Sequence, residues 1–146
     1  YRYLLRRAPE DRDSFIEHLS RVFAAIGSQG LPRDEERTRA ISARSFDRGN
    51  DPAGTGRQLG AIIASGDRTA RLRTIRVPTL VIHGTTDRMV RPSGGRATAG
   101  AIPGAKLLMI DGMGHDLPEA AWPQLIEAIA LHTQAGTADA AAAAAQ

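Results

Sequence analysis

Cysteine is absent from the 146 residues, which excludes a disulfide framework and any thiolate metal site and accords with a reducing, cytoplasmic setting. Aromatic residues make up only 4%, too few for the stacking platforms that single-strand nucleic-acid binders use. Lysine occurs once, at Lys106, so the net charge of +3 rests on arginine. Those arginines are interspersed with acids, as in Pro9-Glu-Asp-Arg-Asp and Arg33-Asp-Glu-Glu-Arg, and a nucleic-acid partner is not expected. The one cluster, Arg68, Arg71, Arg73 and Arg76, reads as a solvated helix end and connection. No stretch approaches the roughly 20 apolar residues of a membrane helix. The histidines lack companions at ligand spacing, His18 and His132 lying alone on predicted helices, so neither a metal nor an organic cofactor is expected.

What is present falls into two patterns. Phe15, Ile16, Leu19, Val22, Phe23 and Ile26 recur at three- and four-residue intervals and predict a helix over Asp13–Ile26, stopped by Gly27. A second, more exposed helix is expected over Asp34–Phe46. A third follows over Arg57–Ser65, with Leu59, Ile62 and Ile63 inward and Gly66 beyond its end. After Ile75-Arg-Val-Pro the pattern changes. Thr79–His83 is a short, apolar, β-branched run and Lys106–Ile110 a second short apolar one, of the kind that form buried parallel strands. Pro92–Ala101 reads as the helix between them. Pro118 suits the first turn of a last helix that would bury Ala121, Trp122, Leu125, Ile126, Ile129 and Ala130 before Gly136. Strand, helix, strand, helix is a βαβα unit, and such a crossover makes a parallel pair.

In an open parallel sheet the loops beyond the carboxyl ends of the strands share one crevice. Asp87 lies four residues past the first predicted strand and His115 five past the second, 28 residues apart. Adjacent strands run roughly 5 Å apart, so these side chains can meet as a base and its orienting carboxylate. That pairing requires a third residue as nucleophile. His83, ending the first strand, reads as a packed residue bonded to backbone or water, and Asp111 as a turn aspartate or a brace for the histidine loop. Met89, Val90, Met113 and Leu117 flank the pair and read either as an apolar substrate pocket or as core.

Val77-Pro-Thr-Leu-Val-Ile-His-Gly-Thr-Thr-Asp87 and Ile110-Asp-Gly-Met-Gly-His115 strongly resemble the last two core strands of α/β-hydrolases. Ile102-Pro-Gly-Ala also resembles this family, and Gly54-Thr-Gly-Arg-Gln-Leu with Ala64-Ser-Gly-Asp-Arg68 more loosely resembles the end of the helical cap in one esterase-like bacterial branch of it. The resemblance implies Asp87 as triad acid and His115 as triad base, in a chain order that places the nucleophile earlier. No Gly-x-Ser-x-Gly elbow occurs: Ser14, Ser20, Ser28, Ser42, Ser45, Ser65 and Ser93 all lack the strand, sharp turn and helix that would present one.

The expected fold class is therefore α/β, the C-terminal portion of an α/β-hydrolase parallel sheet preceded by a helical cap segment. Residues 1–72 are expected to form the cap or lid, 73–134 the core portion, and 135–146 an alanine-rich tail, frayed or disordered. Tyr1-Arg-Tyr-Leu-Leu-Arg-Arg reads as chain interior, and an upstream core carrying the nucleophile is expected. The expected activity is carboxylic-ester hydrolysis by a Ser-His-Asp triad on a small-molecule ester, with this segment inactive alone. An aspartate nucleophile would instead make a dehalogenase or epoxide hydrolase, and a non-catalytic interaction module is the rival from another class.

Overall fold

A computed structural model describes residues 7–51 and 53–144, with side chains described as far as Gly136. The chain divides into two compact units, one made of the segment ending at Gly27 with Arg33–Arg68, the other of Ser28–Pro32 with everything from Thr69 onward.

The first unit is helical. α1 (Arg12–Ile26) begins where Asp11 accepts the Ser14 amide, and α2 (Glu35–Arg48) where Asp34 accepts the Arg37 amide; each cap satisfies an amide that the first turn cannot pair internally. The apolar stripe of α1 buries Ile16, Val22 and Ile26. Phe15 and Phe46 pack at 5.4 Å with ring planes tilted by 58°, and a two-pronged Arg12–Asp47 ion pair at 2.8 and 3.0 Å also joins α1 to α2. Ser42, fully buried, turns its hydroxyl back to the Thr38 carbonyl. α3 (Gly54–Ser65) begins three residues before the expected Arg57, and Leu59, Ile62 and Ile63 face outward, the last two about 70% exposed, with no residue of α3 buried. Its periodicity is helical, but among the described residues nothing packs over the stripe.

The second unit carries the sheet. After the short α4 (Thr69–Leu72), β1 (Leu80–Gly84) and β2 (Lys106–Ile110) pair in parallel, in register from Leu80 opposite Lys106 to Gly84 opposite Ile110. α5 (Pro92–Ala101) is the crossover, packed on β1. Gly95 permits that approach, because a Cβ there would sit 2.7 Å from the His83 ring. A 3-10 turn (Glu119–Ala121) leads into α6 (Trp122–Ala144), so Pro118 precedes the last helix and Pro123 occupies its first turn. Gly136 does not end α6: a helix-interior glycine costs only about 1 kcal/mol.

The core gathers Ile110, Met113, Ala121 and Leu125, with Leu31, Ile82, Leu108 and Trp122 packed against it. Ile126 and Ile129, expected inward, are exposed and line an open apolar cavity with Ile82, Met113 and Trp122. Among the described residues no helix is long and apolar enough to cross a membrane.

Candidate active site

Two loops leave the carboxyl ends of β1 and β2 and are tied together. A Cβ at Gly84 would lie 2.1 Å from the Met113 carbonyl oxygen, so only glycine lets the second loop pass over the end of β1. Thr85 donates its amide to the Ile110 carbonyl, while its hydroxyl donates to Asp111 and accepts the Gly112 amide, both at 2.9 Å. Thr86 donates its amide to the Met113 carbonyl and shares its hydroxyl proton between the carbonyls of Gly112 and Met113. Gly112, at φ +70°, makes the turn that a side chain would resist.

This stitching brings Asp87 and His115 together. Asp87 is buried, and its Oδ1 accepts the Met89 and Val90 amides, each at 2.8 Å. Its Oδ2 lies 2.9 Å from His115 Nδ1. Burial acts to raise the Asp87 pKa, but the His115 hydrogen bond and the Val90 and Met89 amides outweigh it and hold the carboxyl below its ordinary value. Asp87 is thus an anion at neutral pH. Facing a carboxylate, His115 Nδ1 carries the proton, which leaves Nε2 with a lone pair. His83 is packed and donates from Nε2 to the Val90 carbonyl at 2.9 Å. It stands 3.8 Å from Asp87 Oδ2, too far for a hydrogen bond.

An open cavity of about 330 Å³ lies beside the pair, and Val90, Met113 and Leu117 line it along with Asp87 and His115. Met89 is not among its lining residues; its amide serves Asp87 instead. Met113 lines the cavity and is also buried in the core, so the two readings of that position coincide. Among the described residues no group of three His, Asp or Glu side chains could hold a metal ion.

Two residues the sequence did not single out sit against the histidine loop. Asp116 Oδ1 accepts both the Ser28 amide (2.8 Å) and the Ser28 hydroxyl (2.6 Å), and the Ser28 hydroxyl in turn accepts the Gly114 amide at 2.9 Å. No local pattern announces a contact across 88 residues. The Ser28 proton goes to Asp116 and not to His115, so this hydroxyl is not arranged as a nucleophile.

A family model described as "alpha/beta hydrolase fold" matches residues 5–119. Among curated proteins, the chain is 29% identical over 136 residues to Rhodomycin D methylesterase DnrP of Streptomyces peucetius, covering 92% of this chain and 45% of that protein. It is 41% identical over 70 residues to Rhodomycin D methylesterase DauP of Streptomyces sp. (strain C5), covering 48% of this chain and 24% of that one. The crystal structure of the esterase RhEst1 from Rhodococcus sp. ECU1013 superposes with a TM-score of 0.59 at 18% identity, over 86% of this chain and 44% of that one. The chain thus spans less than half the length of the relatives it matches.

Proposed function

We propose, for a chain that belongs to the α/β-hydrolase family, that Asp87 and His115 are the acid and base of a Ser-His-Asp triad hydrolysing a carboxylic ester. The observation that carries this reading is the 2.9 Å contact of Asp87 Oδ2 with His115 Nδ1 at the ends of adjacent parallel strands. His115 Nε2 takes the proton of a serine hydroxyl as its oxygen attacks the ester carbonyl. It then hands that proton to the departing alcohol, leaving an acyl-enzyme. In the second half His115 deprotonates a water, whose oxygen attacks the acyl carbon, and returns that proton to the departing serine oxygen as the acid is released. Asp87 holds the required tautomer and stabilises the imidazolium that forms at each step.

The serine is proposed to belong to polypeptide N-terminal to these residues. That placement is supported by the lack of an elbow motif among the 146 residues and by their coverage of 45% of DnrP. The helices before residue 70 would act as its lid. The names of DnrP and DauP favour a methyl ester as substrate, and the apolar side chains of Val90, Met113 and Leu117 would receive a hydrophobic part of it.

The test is His115→Ala in the full-length protein, assayed on p-nitrophenyl acetate and on a methyl ester. Turnover should fall by about 10⁴ or more, the usual cost of removing a triad base. Activity within tenfold of wild type would refute the assignment. The 146-residue chain alone should show no ester turnover.

A further inference from the structure

The segment Ser28–Pro32 joins α1 to α2, yet it packs within the unit that holds Asp87 and His115. From the geometry we infer that this segment is a strap that positions the histidine loop, and that Ser28 and Asp116 are positioning residues for His115. The inference rests on the catalytic reading of His115.

Three contacts define the strap. Asp116, the residue after His115, accepts the amide and the hydroxyl of Ser28 on one oxygen. Gly114, the residue before His115, donates its amide to the same hydroxyl. One buried serine therefore holds the residues on both sides of His115, the Gly114 backbone amide before it and the Asp116 carboxylate after it. Two residues further on, the Gly30 amide donates to the Gly112 carbonyl at 3.1 Å, and the backbones meet so closely that a Cβ at Gly30 would sit 2.6 Å from Gly112 Cα.

Thr85 and Thr86 hold the first half of the loop, Asp111 to Met113, from the β1 side. Among the described residues their hydrogen bonds to this loop reach no further than Met113, while Ser28 holds Gly114 and Asp116. Without the strap, the last tie before His115 is the Thr86 pair with Met113 and the next beyond it is the Leu117 carbonyl, which accepts Trp122 Nε1 at 3.0 Å, so the backbone on either side of the ring is held less closely. A reacting group displaced by about 1 Å can lose 10²-fold in rate, so the strap bears on turnover without touching substrate.

The experiment uses full-length protein and p-nitrophenyl acetate, with Ser28→Ala, Asp116→Ala and the double variant. Ser28→Ala should lower kcat by about 10- to 100-fold and leave KM within about twofold. Acylation and deacylation should slow by a common factor in pre-steady-state traces, since His115 serves both. The double variant should lose no more than the worse single one, as expected for two groups acting through one contact. Amide exchange at Gly114 should rise in Ser28→Ala while the amide of Thr86 stays protected. Should Ser28→Ala fail to fold, Asp116→Asn carries the test, because it keeps the shape and weakens both bonds; its kcat should fall with KM unchanged.

Wild-type kcat in Ser28→Ala or Asp116→Asn, a loss confined to KM, or additive losses in the double variant would overturn the strap. His115→Ala measured alongside separates the two claims. If it is inactive while Ser28→Ala is unimpaired, the strap alone fails; if it is fully active, the triad assignment and the strap fall together.

Discussion

Asp87→Asn is the substitution whose outcome the geometry dictates most closely. The Asp87 carboxylate has one oxygen facing two amide donors, Met89 and Val90, and the other facing His115 Nδ1. An asparagine has one oxygen and one NH₂ to place there. With the oxygen toward the two amides, both 2.8 Å bonds survive and the NH₂ points at Nδ1. The flipped arrangement keeps one bond and sets an NH₂ against two N–H donors. The first is favoured, and an NH₂ donor facing Nδ1 demands a lone pair on that nitrogen. The neutral ring must then carry its proton on Nε2, where the proposed mechanism needs a base. Such a tautomer reversal costs about 10⁴ in kcat, equivalent to about 5 kcal/mol of transition-state stabilisation. The assay is steady-state hydrolysis of p-nitrophenyl acetate by full-length Asp87→Asn, with ring ¹⁵N shifts reporting the tautomer of neutral His115. Turnover within tenfold of wild type, or a neutral ring still protonated at Nδ1, would refute the reasoning.

Acid stability offers a second readout of the same pair. The folded-state pKa of Asp87 lies below its ordinary value, so its contribution to stability is fully present above an unfolded pKa of about 3.9 and declines as pH falls through the lowered folded value. The urea midpoint of wild type relative to Asp87→Asn should therefore shrink as pH falls below that value and through the lowered folded one. At the crossing of the two loops, Gly84→Ala should destabilise by about 3 kcal/mol or more, since its Cβ would meet backbone and not a movable side chain. Gly100→Ala, with nothing near the added methyl in α5, should stabilise by about 0.5–1 kcal/mol, and paired thermal melts compare the two.

Local chemistry accounts for what the sequence made legible. β2 and α5 have the expected bounds and β1 is offset by one residue, because two short apolar runs and the helix between them, each bracketed by proline or glycine, admit few other readings. Asp87 and His115 could be paired before any coordinates, since two equivalent strand-end positions imply a shared crevice. The misjudged residues share a cause. Periodicity at Leu59, Ile62, Ile63, Ile126 and Ile129 tells which side of a helix is apolar, not what covers it. The strap was invisible for a different reason: Ser28 and Gly30 have no pattern of their own, and their partners Gly112, Gly114 and Asp116 lie more than 80 positions away.

His83 and Gly95 lie in the same small region of space, the imidazole of one filling the position where the other would carry a side chain. The two positions therefore behave as a single unit under mutation. Randomising position 95 while His83 is kept should return glycine, whereas randomising both together should recover pairs in which a smaller residue at 83 makes room for a larger one at 95. Because the His83 ring also holds the Val90 carbonyl, and the Val90 amide holds Asp87, each such exchange would reset the loop that carries Asp87. The freedom of this site to diversify is set as much by a packed helix glycine as by the residues lining its cavity.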